Sequence, residues 1–189
     1  MLEGRPFRKF VANAFVGAHQ GGRFVFFARS SRVLLILAHA AALTVVGVQP
    51  AAAGIEEAVK AMQGGDMATA EKELQMLVKE RDPRAQFLLG FYVYGNPESK
   101  LFDLTKGAPL LRDAAERGYT PAMIPLAGAY AEGKGVPQSF FESYKWVAIA
   151  ERWNVPNAAQ LLEQLARELK PEELEKAKAA ALAFAFKTK

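Results

Sequence analysis

Residues 122–150 read AMIPLAGAYAEGKGVPQSFFESYKWVAIA. Two runs of alanine and bulky apolar residues flank the break Gly133-Lys134-Gly135-Val136-Pro137-Gln138, and neither run alternates polar with apolar as a half-buried strand does. The stretch predicts a helical hairpin. Gly133 and Gly135 suit a left-handed turn, which glycine enters without a Cβ penalty. A phosphate loop is excluded, because no G-x-x-x-x-G-K-[ST] surrounds the glycines and no strand precedes them.

Working outward, the same spacing returns on both sides. Ala85, Ala122 and Ala158 are 37 and 36 residues apart, and Leu89, Leu126 and Leu162 keep those offsets. Gly118 and Asn154, Ala114 and Ala150, and Leu110 and Trp146 are each 36 apart. A period held by both helices of a unit is the signature of a repeat array, in which each hairpin buries a face only against its neighbour. The fold class expected is therefore all-α: a one-dimensional array, or solenoid, of stacked helical hairpins.

From Ile55 on, helical pieces of about ten to seventeen residues alternate with Gly, Pro, Asn or Asp breaks. Gly64-Gly65-Asp66 divides the first pair, and Ala70, Leu74, Leu77 and Val78 recur on one face. Asp82-Pro83 is a helix start, with Asp82 accepting orphan amides and Pro83 in the first position; Thr120-Pro121 is assigned the same role. Tyr92 and Gly95 align with Tyr130 and Gly133 only at an offset of 38, which implies a residue lost in or after the first helix of that unit. The third unit is degenerate. Lys170-Pro171-Glu172-Glu173 then opens a last helix with Leu174, Ala177, Ala181 and Ala185 as one stripe and Glu172 with Lys176 as an i, i+4 pair, expected to cap the array.

The residues ahead of this body differ in kind. Six basic residues and one acid precede Gly54, leaving 18 basic and 19 acidic residues after it, so the body carries a net charge of −1 while the whole chain carries +4. No basic face for nucleic acid is expected in the body. Val33–Val48 is an uncharged apolar run after Arg29 and Arg32, followed by Pro50 and Ala51-Ala52-Ala53-Gly54, the order of a secretory signal peptide with cleavage after Ala53. The run is shorter than the ~20 residues a spanning helix prefers; an uncleaved inner-membrane anchor and a buried core helix are the other readings. Residues 1–32 are long for a signal peptide, which points to a start further downstream or to a cytoplasmic tail on an anchored chain. The expected organisation is a leader over 1–53, signal peptide or membrane anchor, and a helical repeat domain over 54–189. The domain is expected outside the cytoplasm, in the periplasm or tethered to the inner membrane, with membrane contact only through the leader.

Ala122, Leu126, Ala127, Tyr130, Gly133, Lys134, Gly135, Val136, Pro137, Gln138, Trp146 and Ala150 resemble one unit of the Sel1-like repeat, a relative of the tetratricopeptide repeat. Ala85, Leu89, Gly90, Ala114, Ala115 and Gly118 resemble a looser unit that has Gly95-Asn96-Pro97-Glu98 in place of the Gly-x-Gly-Val turn. Departures are Ala127 for glycine, Ser143 where alanine is usual, and the degenerate third unit. The resemblance covers roughly Met67 to Lys187. It implies an α/α superhelix that serves as an interaction scaffold, often exported, in some members a periplasmic regulator or assembly factor, with a protein or peptide as partner and no cofactor. Members rich in cysteine staple each hairpin with a disulfide; this chain has none. By analogy with the tetratricopeptide fold, the first helices line a partner groove, which places Arg84, Phe87, Phe91, Tyr94, Ile124, Glu132, Gln160, Gln164 and Arg167 there.

Phe87, Phe91 and Tyr94 recur at i, i+4 and i+7 on a helix that is apolar all round. Either Phe184 or Phe186 of the last helix covers them, or they stand exposed as aromatic anchors. Trp146 is expected in the core, and Trp153 is either locally packed or partner-facing. Both histidines, His19 and His39, precede Gly54, so Ser99, Ser139 and Ser143 have no imidazole to activate them in the body. Glu56-Glu57 and Glu172-Glu173 sit near helix starts, where carboxylates meet the helix dipole. No enzymatic activity or metal site is expected, and a carboxylate-dependent hydrolase is the remote alternative.

Overall fold

The computed structural model describes residues 50–187, with side chains from Ala53 on. These residues form eight helices and no strand: α1 (Pro50–Gln63), α2 (Met67–Lys79), α3 (Pro83–Leu88, continued by a wider π-helical stretch over Leu89–Val93), α4 (Leu104–Glu116), α5 (Met123–Glu132), α6 (Phe140–Arg152), α7 (Ala158–Ala166) and α8 (Pro171–Ala183). The leader lies outside the described residues except for Pro50–Ala53, the first turn of α1. Among the described residues, no helix is long and apolar enough to cross a membrane.

Each start and stop has a local cause. Asp66, Asp82, Asp103 and Ser139 accept amide hydrogens at the starts of α2, α3, α4 and α6, satisfying donors that a helix N-terminus leaves unpaired. Thr120 does not do this: Thr120–Ala122 is a single 3-10 turn, and α5 begins without a side-chain cap. Left-handed residues follow α2, α4 and α6 at Arg81, Gly118 and Asn154. Those positions are 37 and 36 residues apart, as are Leu74, Leu111 and Val147, all buried. The repeat thus begins one hairpin earlier than the alanine series suggests, with α2 equivalent to α4 and α6.

The 38-residue offset of Tyr92 and Tyr130 is corrected by burial. Tyr92 is 40% exposed, whereas Val93, at an offset of 37 from Tyr130, is buried like its counterpart. The wide turn of α3, in which the Tyr94 amide donates to the Leu89 carbonyl at 3.0 Å, changes the facing of the residues after it without changing the period. Gly95 is not left-handed, unlike Gly133 at φ +68°.

The array is core-filled throughout. α1, α2 and α3 share a cluster of Ala58, Ala70, Leu74, Leu77, Ala85 and Leu89, and Met123, Leu126, Trp146, Ile149, Leu161 and Leu165 fill the space further along. α8 packs on α6. Its apolar stripe ends at Ala181: α8 stops at Ala183, and Ala185 is exposed in the extended segment beyond. The ion pair on this helix joins Lys178 to Glu175, not Lys176 to Glu172.

Candidate functional site

α3 carries most of the aromatic groove positions, and its wide turn divides them. Phe87 and Phe91 stack, with ring centroids 5.6 Å apart and planes 8° from parallel, and Phe87 also meets Tyr119 at 5.4 Å. A π-helical turn needs more residues per revolution than an α-helical one, so Tyr94 lags behind the stripe and faces α2. There its hydroxyl donates to Glu71 and meets Gln75, while Lys106 of α4 stands 5.5 Å from its ring. Phe87 and Tyr94 are both buried and Phe91 is half-buried. Burial, and then the Glu71 hydrogen bond, raise the Tyr94 phenol; burial also raises Tyr119 and Tyr130.

Arg84 is exposed at the start of α3 and forks onto Asp82. Burial opposes the Asp82 charge, but hydrogen bonds from Arg84 prevail and hold this carboxyl below its ordinary value. On α5, Ile124 is half-buried and Glu132 pairs with Lys134 at 2.6 Å. On α7, Gln160 and Arg167 are exposed and Gln164 is half-buried. Of the nine groove positions, Arg84, Gln160 and Arg167 are therefore the most open to solvent.

Neither Phe184 nor Phe186 goes to Phe87. After α8 the chain turns extended, with Phe184 at φ −70° and ψ 130°. Phe184 meets Trp146 edge-on at 5.1 Å, Phe186 meets Trp153 at 5.5 Å, and the two phenylalanines meet each other at 5.3 Å. A Cβ built on Gly118 would lie 3.6 Å from the Phe186 ring. The Lys187 amide donates to the Glu116 carbonyl at 2.7 Å, and its ammonium pairs with the Glu116 carboxylate. Arg152 secures the end of α8 by donating to the Ala181 carbonyl at 2.9 Å. Trp146 is 2% exposed and Trp153 56%, so one tryptophan belongs to the core and the other to the surface. The sequence held one signal for this second site: Phe184 and Phe186 alternate, as extended rather than helical residues on one face do.

Glu56, Glu57, Glu172 and Glu173 are exposed. Among the described residues, no group of three or more acids or histidines is placed to hold a metal ion.

Stacked antiparallel hairpins, repeating at 36–37 residues with left-handed residues closing the second helices, define an α/α repeat solenoid. The particular form is the Sel1-like repeat fold. The structure is similar to that of c5321, a protective antigen present in uropathogenic Escherichia coli strains and displaying that fold, with a TM-score of 0.65 and 20% identity over 71% of this chain and 29% of the other. An exopolysaccharide production negative regulator of Rhizobium leguminosarum bv. viciae is 37% identical over 67 residues, 35% of this chain. The chain spans 23% of that regulator's length in the match. No family model matches the chain.

Proposed function

We propose that this protein is an exported, periplasmic interaction scaffold that acts as an adaptor or regulator by binding a protein or peptide across its stacked hairpins. The observation that carries the reading is the repeat fold: a one-dimensional stack of hairpins offers an extended surface for a partner. The stretch related to a negative regulator of exopolysaccharide production supports a regulatory role. The Val33–Val48 run and the Ala51-Ala52-Ala53 string support export. The enzyme reading receives less support, since the acidic pairs near helix starts face solvent.

The test uses the exposed positions on α7. Gln160→Lys with Arg167→Glu alters surface residues whose substitution shifts stability by about 0.5 kcal/mol or less. Capture from envelope extracts by the unaltered chain, with loss of the same partner in the double variant at an unchanged melting temperature, is the expected result. Retention of the partner removes the groove. Mass spectrometry of the native N-terminus tests export: a chain beginning at Gly54 supports the signal peptide, and an intact leader supports a membrane-anchored assembly component.

A further inference from the structure

The extended segment Phe184–Lys187 is held as a peptide ligand is held. Its two rings, two residues apart, sit on Trp146 and Trp153, its main chain donates one hydrogen bond to the end of α4, and its lysine meets Glu116 there. Phe186 reaches Gly118, where a side chain in place of the glycine hydrogen would approach the ring. The segment leaves this surface partly open, because Trp153 remains 56% exposed. Large exposed aromatic residues are enriched at binding hot spots. Beyond the ring contacts, the attachment consists of one main-chain hydrogen bond and a surface ion pair that solvent screens.

We propose that the end of α4 and the second half of α6, from Trp146 to Trp153, form a docking site for an extended partner segment of the pattern aromatic-small-aromatic-lysine, and that Phe184–Lys187 occupies this site until such a segment displaces it. The inference rests on the interaction-scaffold reading and specifies one of its surfaces, separate from the α3, α5 and α7 groove. The two rings and the base set the specificity: alternate aromatics reach the two tryptophans on one side of an extended chain, and the base reaches the Glu116 carboxylate at the end of α4. A tethered segment competes at an effective concentration in the millimolar range, so occupation in cis raises the threshold for a partner without closing the site.

Trp146 and Trp153 are the only tryptophans in the chain, and their emission reports occupancy. In the full-length chain, Phe186→Ser with Lys187→Glu releases the segment. This variant is titrated with a capped peptide of residues 182–189, LAFAFKTK, and with a control peptide in which both phenylalanines are serine and the lysine at position 187 is glutamate. Saturable change with the first peptide, none with the control, and a half-saturation at least about tenfold lower than in the unaltered chain are expected. A folded variant that ignores both peptides, responds equally to both, or matches the unaltered chain overturns the proposal. If the double variant fails to fold, Phe186→Ser alone frees the Trp153 side of the site and is read by the same criteria. A chain that captures its partner through α7 yet fails this titration keeps the scaffold reading and loses this site.

Discussion

The hairpins α3–α4 and α5–α6 share one period and solve the same packing problem in opposite ways. In the first, the helices cross at Gly90 and Gly107: a Cβ on Gly90 would lie 2.8 Å from the Gly107 carbonyl oxygen, and one on Gly107 2.7 Å from that of Gly90. The equivalent positions in the second hairpin are Ala127 and Ser143, both buried. Close approach leaves little room beside the crossing, and there the first hairpin has the half-buried Leu110. The second hairpin has Trp146 at the matching position, 2% exposed. Small residues at the crossing go with a small filler, and larger residues with a larger one, so the period is conserved while the contents of the interface change. The connections differ as well, with a wide helical turn and a ten-residue link in the first and the compact Gly-x-Gly-Val turn in the second.

The strongest way to break this symmetry is to remove the larger filler. Trp146→Ala deletes a buried aromatic and is expected to cost about 3–5 kcal/mol, as large core truncations do. Leu110→Ala, half-buried at the matching position, is expected to cost about 1–2 kcal/mol. Denaturant unfolding of the two variants measures both, and equal costs would contradict the compensation of filler and crossing. Next in size is Gly135→Ala. Gly135 has φ +71°, and its Cβ would stand 1.9 Å from the Leu104 carbonyl oxygen, so the turn of one hairpin rests on the start of the preceding hairpin's second helix. About 2–4 kcal/mol is expected from backbone strain and displacement together. Gly65→Ala isolates the strain, because Gly65 is left-handed with open space around it, and about 1–2 kcal/mol is expected there.

These contrasts explain how much of the molecule its sequence disclosed. The period was legible because alanines, leucines and left-handed closers are fixed by backbone approach and recur at 36–37 residues. The α1–α2 hairpin escaped the repeat count because its link is only three residues long and its equivalences run through Leu74 and Arg81 rather than through the series of Ala85, Ala122 and Ala158. The aromatic stripe on α3 was misread for a different reason. A period of 3.6 puts Phe87, Phe91 and Tyr94 on one face, but the π-helical stretch breaks that period and sends Tyr94 to Glu71. No sequence pattern marks such a turn. The destination of Phe184 and Phe186 was only half legible: their alternation suits an extended backbone, but nothing in it selects Trp146 and Trp153, to which the chain beyond Ala183 carries them. That is a tertiary choice between two aromatic surfaces of similar composition.

Exchanging the residues of the two crossings sharpens the comparison at intermediate energy. Gly90→Ala gains helix propensity of about 1 kcal/mol but forces a methyl group against the Gly107 carbonyl and Leu110. A net loss of about 1–3 kcal/mol is expected, the range for overpacked sites. Ala127→Gly loses about 1 kcal/mol by propensity alone, without relieving any crowding. Chemical denaturation distinguishes the two causes by sign against propensity: Gly90→Ala is expected to lower stability although alanine favours the helix, because its methyl meets the Gly107 carbonyl oxygen at 2.8 Å and the Leu110 Cβ at 3.0 Å. A gain in stability for Gly90→Ala would contradict a steric crossing in the first hairpin.

The smallest effect has the opposite sign. Ser143 is fully buried at the second crossing, and its hydroxyl has no hydrogen-bond partner. A buried unpaired hydroxyl retains its desolvation cost, while alanine fits the same space and favours the helix by a few tenths of a kcal/mol. Ser143→Ala is therefore expected to raise stability by about 0.5–1.5 kcal/mol, read as a higher denaturation midpoint at an unchanged slope. Gly107→Ala at the equivalent position of the first hairpin is expected to lower it, because the added carbon meets the Gly90 carbonyl oxygen at 2.7 Å. The same final residue would stabilise one hairpin and destabilise its neighbour, since the first hairpin's helices approach too closely for a methyl group. A loss of about 1 kcal/mol in Ser143→Ala would mean that the hydroxyl is satisfied in solution, and the second crossing would then be held by a polar contact rather than by small apolar volume.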